Sequence, residues 1–263
     1  MRTDYLKPVF NDINRGFAGG NNDGGKEAEG DIVILLNNDT IVPQGAVNKL
    51  INHMRRNPGW GMLGPVTNAA GNEQKIYVEK DDAERAIIEG EKFCSHSMND
   101  CFPSERLDFF CVAVRKDLYN SLGGLDEQFG LGYYEDLDFS VRANRAGVKM
   151  LFAEDCFIFH GAGKTFSNEG KKSVKKLMHE NKRKLKKKYS GKGALFRLRD
   201  RNMRIMKEYM KMKKQLTPER KLDMDYKFNN RFLHAKGMYP HSPLKKLLYA
   251  FQLKKLNSEY SRI

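Results

Sequence analysis

The sequence predicts an α/β fold in which a mostly parallel sheet is flanked by helices. Three runs have the length and the apolar, β-branched composition of buried strands, and they span residues 32–36, 60–66 and 107–114. Apolar side chains at helical spacing follow the first and the third run, at 46–54 and at 115–122. With 263 residues and 40% hydrophobic content, the chain can bury one good core and carry an appended second unit.

A glycine-rich bend at residues 14–22 comes before the first strand and leads into a short helix that ends near Ala28. Glycines let a backbone approach a ligand closely, and the amides at a helix start favour anionic groups such as a diphosphate. The alternative is an ordinary flexible turn, and this stretch alone leaves both interpretations open.

The first strand stops abruptly at polar residues, because Leu36 is followed by Asn37, Asn38, Asp39 and Thr40. Ligands bind at the carboxyl edge of an open α/β sheet, so Asp39 is a candidate site residue. Aspartate is also common as a capping residue in turns, and this alternative is equally open.

Residues 73–106 are polar and mixed in pattern, and they predict an insertion or a lid over the site. The third strand follows this region. The short helix after that strand is stopped by Gly123 and Gly124.

Three carboxylates crowd the predicted start of the next helix, at Glu135, Asp136 and Asp138. The helix dipole favours acidic residues there, which is the structural explanation. Like charges and partial burial also raise a carboxylate pKa toward neutrality, which suits a general base. Asp138 is predicted to have a positioning role, through pairing with Arg142 or Arg145.

Two strand-like runs at 149–154 and 156–159 predict a strand pair that ends at His160. A lone histidine at a strand end is more often a structural hydrogen-bonding group than a ligand. If the sheet brings the ends of the 32–36 and 156–159 strands together, Asp39 and His160 form an oxygen and nitrogen pair. Such a pair suits Mn²⁺ or Mg²⁺ and leaves positions open for phosphate oxygens.

The formal charge of +14 is distributed unevenly along the chain. Residues 1–165 carry a net charge of −7, whereas residues 166–263 carry +21. An acidic first part argues against a nucleic-acid surface there. We therefore expect a catalytic core at 1–165 and a basic helical extension at 166–263, with helices near 171–189 and 195–209 and from Ser242 onward.

The basic extension has two open explanations. Basic amphipathic helices bind anionic membrane surfaces, and a solvated basic face without a partner is equally open. Nucleic acid is not an expected partner, because the sequence contains neither a recognisable binding module nor an interleaved aromatic platform.

No apolar run approaches the roughly 20 residues of a membrane span, and the N-terminus lacks the apolar region of a signal peptide. These features predict a cytoplasmic protein, with peripheral attachment to the inner face of the cell membrane as an option. The 4 cysteines show no CxxC spacing and are expected to be reduced and mostly buried.

Four motifs in this order resemble those of family-2 glycosyltransferases, in particular of their rhamnosyltransferase-like bacterial branch. They are the bend at 14–22, the strand end at 36–40, the paired stretches 124–127 and 134–138, and His160. The resemblance covers roughly residues 5–190.

This resemblance implies a GT-A fold, which is Rossmann-like, and an inverting transfer of a sugar from a nucleotide diphosphate donor. Asn37, Asn38 and Asp39 match that family's DxD motif, with Asn37 in the first acidic position. Asp39 would bind the divalent cation, Mn²⁺ or Mg²⁺, and the two asparagines would lie at the donor. His160 matches the late metal-binding histidine of the family.

Glu135 and Asp136 match the family's ED motif, in which Asp136 would deprotonate the acceptor hydroxyl. Asn14, Arg15 and Gly16 match the segment that lies near the nucleotide. The implied partners are a nucleotide-diphosphate sugar and a saccharide or lipid-linked acceptor, in the synthesis of a bacterial polysaccharide or glycolipid.

Members of that family usually begin with a strand, a base-binding loop and a further strand before the glycine-rich bend. This chain starts almost at the bend, so the sheet is expected to be incomplete at the N-terminus. The alternative function is a catalytically inactive fragment or binding subunit on the same scaffold.

Overall fold

The computed structural model describes residues 6–79, 82–98, 100–161, 170–189, 198–240 and 242–263. The strands within these residues are β1 (Ile32–Leu36), β2 (Thr40–Ile41), β3 (Trp60–Val66), β4 (Cys101–Pro103), β5 (Cys111–Arg115), β6 (Lys149–Phe157) and β7 (Phe159–His160). The helices are α1 (Gly16–Glu27), α2 (Ala46–Arg56), α3 (Ala83–Ser95), α4 (Lys116–Ser121), α5 (Glu135–Arg145), α6 (Lys171–Lys188), α7 (Leu198–Lys213), α8 (Pro218–Lys236) and α9 (Pro243–Tyr260).

The central sheet has the strand order β1-β5-β3-β6-β4 and is mixed. Among the described strands, only β3 and β6 pair in parallel, while β5 runs antiparallel to both of its neighbours and β4 runs antiparallel to β6. The predicted α/β fold with a sheet flanked by helices is confirmed, but the pairing corrects the expectation of a mostly parallel sheet. A strand that is buried on both faces has the same apolar composition in either direction, so the sequence did not reveal the reversal of β5.

The strands bury both faces of the sheet in two hydrophobic clusters. Along β5, for example, Val112 and Val114 belong to one cluster, whereas Cys111 and Ala113 belong to the other. This alternation is the two-residue repeat of a strand between two layers of helices.

Residues 73–106, for which an insertion or a lid was predicted, complete this sheet instead. They contain α3, which packs on β6, and the edge strand β4. Gln74 is fully buried and donates from Nε2 to the carbonyl of Pro65 in β3, at 2.9 Å. Because this region buries polar side chains with partners, its sequence lacks the apolar pattern that marks a core segment.

The runs at 149–154 and 156–159 do not form the predicted strand pair. Lys149–Phe157 is a single strand, and Phe159–His160 is a separate short strand that pairs antiparallel with Thr40–Ile41. This second, two-stranded sheet lies at the carboxyl end of β1 and places the polar turn after β1 beside His160.

The C-terminal helices pack on the sheet and on the start of α5. Leu185 of α6 and Tyr189, which follows the helix directly, share a hydrophobic cluster with Phe129 and Leu137. Tyr209 of α7 packs edge-on against Phe102 of β4, with 5.6 Å between ring centroids. The predicted boundary between residues 165 and 166 lies outside the described residues, and the division into two domains stays a prediction.

The second C-terminal helix predicted near 195–209 begins at Leu198 in the structure, and residue 195 lies outside the described residues. Helix α8 was not predicted at all. Its buried face carries Lys227 and Arg231, which are both fully buried and pair with Glu154 of β6. Charged residues on a buried face hide the amphipathic pattern from sequence analysis.

Within the part of the chain that the structure describes, no helix is both long enough and apolar enough to cross a membrane.

Candidate active site

A corner between β2 and β7 brings together the two predicted metal ligands. Thr40 pairs with His160 across the two-stranded sheet, and the carbonyl of Asp39 accepts a hydrogen bond from the amide of Gly161 at 2.7 Å. As a result, Asp39 Oδ1 lies 3.5 Å from His160 Nε2. The predicted proximity is present, but it comes from the small sheet, because β1 and β6 are not neighbours in the large one.

The ring of His160 is held in one orientation. Its Nδ1 lies 2.8 Å from the carbonyl of Ala69, and because a carbonyl only accepts, Nδ1 carries the hydrogen of this bond. The ring also stacks on Phe110, with 5.3 Å between centroids. In the neutral imidazole, the lone pair of Nε2 therefore faces the carboxylate of Asp39, which is the arrangement of a metal-binding histidine.

Two acceptor oxygens at this corner fit a cation. Asp39 Oδ1 and Asn37 Oδ1 are buried and have no hydrogen-bond partner among the described residues. Asn37 itself is fixed, since its amide donates to the carbonyl of Phe110 at 2.9 Å and its carbonyl accepts from Thr40 Oγ1 at 2.7 Å. A buried acceptor without a donor is costly, and a bound cation removes that cost.

The corner is a sparse ligand set rather than a complete cage. The described residues contain no group of three or more histidine, cysteine, aspartate and glutamate side chains that could hold a metal ion. Asp39, His160 and the amide oxygen of Asn37 would thus supply part of a coordination shell, and a ligand's phosphate oxygens would supply the rest. Asn38 is exposed in the same turn.

The start of α5 carries the predicted catalytic carboxylates after an unusual stretch of backbone. Tyr133 and Tyr134 both have left-handed conformations, with φ of 70° and 81°. Such backbone costs on the order of 1–2 kcal/mol for each residue other than glycine, and it persists where the surroundings enforce it. Here it directs the chain into α5, whose first residue is Glu135.

Glu135 is the more buried member of the predicted catalytic pair, with 6% of its surface exposed. Burial, together with the neighbouring charge of Asp136, raises the pKa of Glu135 to about 8. Its Oε2 has no hydrogen-bond partner among the described residues. At neutral pH the carboxyl is therefore mostly protonated.

Asp136 is more accessible, with 18% of its side chain exposed. Burial also raises the pKa of Asp136, whereas the guanidinium of Arg106, at 3.5 Å, acts in the opposite direction. Its Oδ1 accepts a hydrogen bond from the amide of Leu137 at 2.7 Å. Sequence reasoning missed Arg106, because it lies in the 73–106 region that showed no clear pattern.

Asp138 is completely buried and bonded on both oxygens. Arg142 Nε lies 2.8 Å from Oδ2, while Lys188 Nζ and the hydroxyl of Tyr189 lie 2.7 and 2.6 Å from Oδ1. Arg145 does not join this group, because its guanidinium stacks over the ring of Tyr189. This arrangement ties α5 to α6 and confirms the predicted pairing with Arg142, while the positioning role stays a prediction.

Asn181 of α6 holds the left-handed stretch from the other side. It is fully buried, and its Nδ2 lies 2.7, 2.8 and 3.1 Å from the carbonyls of Phe129, Gly132 and Tyr133. Its two amide hydrogens are thus shared among three acceptors in the loop that leads into α5. The sequence did not predict this contact, because nothing distinguishes a single asparagine within a lysine-rich helix.

The bend at 14–16 packs on the same loop. The side chain of Asn14 accepts from the amide of Gly16 at 2.9 Å, and Gly16 has a φ of +69°. A Cβ at Gly16 would lie only 2.3 Å from the carbonyl oxygen of Gly130, so the close approach between two backbones requires a glycine here.

Arg15 forms ion pairs within the protein. Its guanidinium bonds to Asp23 at 2.6 Å and to Glu127 at 2.8 Å. The structure thus provides protein partners for each residue of the bend, and their predicted contact with the nucleotide stays a prediction.

The loop after β3 connects the corner at Asp39 with the start of α5. Asn68 Oδ1 accepts from the amide of His160 at 2.9 Å, and the amide of Gly71 donates to the carboxylate of Asp108. Asp108 pairs with Arg106 at 2.7 Å, and Arg106 reaches Asp136. These bonds and the backbone of residues 68–71 together link the two candidate parts of the site.

The match to a known family decides what kind of protein carries this geometry. A sequence model described as "Glycosyl transferase family group 2" matches residues 32–239, which is most of the chain. This chain belongs to that family. The match in the glycosyl transferase family runs from β1 past the end of α8, well beyond residue 190, where the resemblance in the sequence was expected to end.

Other comparisons add one structural similarity. No curated protein matches the chain. One of the matching solved structures is described as "Crystal structure of GalNAc-T7 with UDP, GalNAc and Mn2+", with 16% identity and a TM-score of 0.44. The alignment covers 57% of this chain and 31% of that one, so it spans about a third of the solved protein.

Proposed function

We propose that this member of the glycosyl transferase family transfers a sugar from a nucleotide diphosphate donor to an acceptor hydroxyl, with inversion at the anomeric carbon. The proposal rests on one observation: Asp39 beside His160 and Asn37 in the same turn each have an acceptor oxygen without a partner among the described residues, and Asp136 offers an accessible carboxylate. A cation site and a base are what this reaction requires.

The donor's diphosphate is assigned to the corner at Asp39. Asp39, His160 and the side-chain oxygen of Asn37 would hold a divalent cation, Mn²⁺ or Mg²⁺. When bound, such a cation offsets the negative charge that develops on the leaving diphosphate. The protein's own contribution is to orient the ligands, since Ala69 and Phe110 fix the ring of His160.

Asp136 is assigned as the general base. Its carboxylate takes the proton of the acceptor hydroxyl while the hydroxyl oxygen bonds to the anomeric carbon and the bond to the diphosphate oxygen breaks. Arg106 favours the ionised form that this step needs, whereas Glu135 stays protonated and adds no second charge. A single displacement of this kind inverts the anomeric centre.

The reaction class extends to a biological setting and a branch of the family. We assign the product to a bacterial polysaccharide or glycolipid and the acceptor to a saccharide or a lipid-linked saccharide. The rhamnosyltransferase-like sequence motifs support this assignment and favour a deoxyhexose or hexose donor.

A substitution at Asp136 tests the proposal. Asp136→Asn keeps the shape and removes the base, so we expect turnover to fall by about 10²- to 10⁴-fold. Donor binding, measured by calorimetry with a panel of nucleotide sugars and Mn²⁺, is expected to change little. Glu135→Gln serves as the matched control and should retain most of the turnover.

Two results would decide against this assignment. Full turnover of Asp136→Asn would transfer the role of base to another group. Donor binding by the wild-type chain without transfer to any acceptor would favour the alternative, a binding subunit on the same scaffold.

A further inference from the structure

Helix α9 has two opposite apolar faces, and only one of them is covered. The covered face packs into the main core through Tyr249, Leu253, Leu256 and Tyr260. The other face exposes four large apolar side chains, with 55–69% of each residue accessible: Leu244, Leu247, Leu248 and Phe251. We name these four residues the α9 stripe.

The spacing of the α9 stripe makes it one continuous surface. Positions separated by three, four and seven residues lie on the same side of a helix, so these side chains are neighbours. Scattered single apolar residues are normal on a protein surface, but a contiguous patch marks an interaction site. The sequence predicted an amphipathic helix here, and the structure adds that its apolar residues face solvent on one side.

The surroundings of the α9 stripe are basic. Lys254 and Lys255 lie three and four residues after Phe251 and are exposed on the next turn of the helix. Residues 242–263 contain five basic side chains and one acidic side chain, Glu259. A groove of about 520 Å³ between α7 and α9 adds further basic side chains next to Lys255, and its charged lining is Arg204, Lys207, Lys255 and Glu259.

We propose that α9 docks on an anionic membrane surface, with the α9 stripe inserted at the level of the headgroups and the lysines paired with lipid phosphates. A helix with an apolar face and flanking lysines binds in this way, in the plane of the interface. The apolar residues occupy only about two turns, which suits a helix that lies on the bilayer.

Charge complementarity selects a membrane over a second copy of this chain. Two copies that met through the α9 stripe would bring together two segments, residues 242–263 of each chain, that each carry five basic side chains and one acidic side chain. Like charges at such short distances oppose association, whereas anionic lipid headgroups attract them. The stripe therefore has a basic border that fits phospholipid and disfavours self-association.

Vesicle sedimentation with the full chain tests this inference and does not depend on sugar transfer. We expect binding to vesicles of phosphatidylcholine with phosphatidylglycerol and at least tenfold weaker binding to phosphatidylcholine alone. Leu247→Glu combined with Phe251→Glu should weaken binding at least tenfold, because both side chains would then have to enter the interface charged. Lys254→Gln and Lys255→Gln should each weaken it about fivefold.

Ile88→Glu is the matched control, because Ile88 of α3 is also exposed, at 61%, and receives the same charge. Its vesicle binding should stay within twofold of wild type. All substituted residues are exposed, so thermal melts should coincide. A melt that shifts would be repeated with the milder Leu247→Ser and Phe251→Ser variant.

Three outcomes would overturn the inference. They are equal binding to neutral and anionic vesicles, no binding to either, and stripe variants that bind as well as wild type. Sedimentation equilibrium without lipid adds one more check. A dimer that the stripe variant converts to monomers would identify a second copy as the occupant instead.

Discussion

Two polar clusters flank the same sheet and differ in how their atoms are bonded. Beneath α7 and α8, Glu154 is fully buried, with Arg231 2.6 Å from Oε1, the hydroxyl of Tyr209 2.5 Å from the same oxygen, and Lys227 on Oε2. At the β2–β7 corner, Asp39 Oδ1 has no hydrogen-bond partner among the described residues. In the first cluster both oxygens of the Glu154 carboxylate have donors, whereas in the second cluster one oxygen of the Asp39 carboxylate has no donor among the described residues.

The pKa values of two glutamates express the same contrast. Burial alone would raise the pKa of Glu154, but Lys227 and Arg231 outweigh it, so the pKa lies below its ordinary range. Glu135 is also buried, and burial together with the charge of Asp136 raises its pKa to about 8, with no cation among the described residues acting against this shift. A carboxylate whose oxygens all have hydrogen-bond donors indicates a structural role. A carboxyl group with a raised pKa, or with a buried oxygen that has no donor, indicates a site that can accept a ligand.

The largest effect is expected on breaking the cluster around Glu154. Arg231→Met leaves the buried Glu154 short of one cation, and we expect the free energy of unfolding to fall by about 3–5 kcal/mol. Chemical denaturation measures this change. Arg220→Met is the control, since Arg220 forms an exposed pair with Asp223 and its loss should cost less than ~1 kcal/mol. Equal losses for both variants would show that the buried cluster contributes no more to stability than the ion pair of Arg220.

Replacing Asp39 tests the second cluster, the corner between β2 and β7. Asp39→Asn removes the negative charge proposed to bind the cation but no hydrogen bond to Oδ1 from the described residues, so stability without metal should stay within about 0.5 kcal/mol of wild type. The rise in melting temperature on titration with Mn²⁺ should require at least ~10-fold more metal. Asp31→Asn, at an exposed position before β1, is the control and should respond to Mn²⁺ as wild type does. A large loss of stability in Asp39→Asn would mean that this carboxylate is structural.

Asn181 lies between the two cases, because its Nδ2 donates to the loop before the predicted catalytic pair while its Oδ1 has no hydrogen-bond partner among the described residues. Asn181→Ala leaves three carbonyls without their donor, so we expect unfolding to become easier by about 2–3 kcal/mol. We also expect kcat to fall while KM for the donor changes little. Asn57→Ala, which removes a single side-chain bond to His53, should cost less. A stability loss with unchanged kcat would limit Asn181 to a structural role.

The smallest effect concerns the pH dependence of Glu135. Its folded-state pKa of about 8 exceeds the ordinary 4.5, so between these values the unfolded state releases a proton that the folded state keeps. The free energy of unfolding should therefore fall as pH rises through this window. Glu135→Gln should reduce this slope and be more stable than wild type by ~1 kcal/mol or more at pH 8.5.

Thermal melts at pH 5 and pH 8.5 measure this difference. Glu84→Gln, at an exposed position in α3, is the control and should leave the slope intact. The same slope in Glu135→Gln as in wild type would place the titrating group elsewhere.

Much of the fold was accessible from sequence, for reasons visible in individual elements. The strands at 32–36 and 60–66 have the predicted bounds, because both consist of apolar residues between clear turn signals. The start of α5 at Glu135 was also predicted, from the acidic residues of its first turn. Such elements carry their information locally, in residue type and spacing.

What escaped prediction depends on partners that are distant in sequence. The buried face of α8 carries Lys227 and Arg231, whose burial makes sense only once Glu154 of β6 lies opposite. Arg106 gains its place beside Asp136 through the fold of the unassigned region. The reversal of β5 likewise follows from the order in which strands assemble, which residue composition does not encode.

The pairing of β2 with β7 also determines when the candidate site forms during synthesis and folding. Asp39 and His160 are 121 residues apart in the chain, and the ribbon that joins them closes only after β6 has been laid down. During synthesis, which proceeds from the N-terminus, Asp39 emerges long before its partner exists. Contacts of such long sequence separation form late in folding. The corner therefore forms only after the sheet is complete. A chain interrupted before residue 160 would contain Asp39 but not His160.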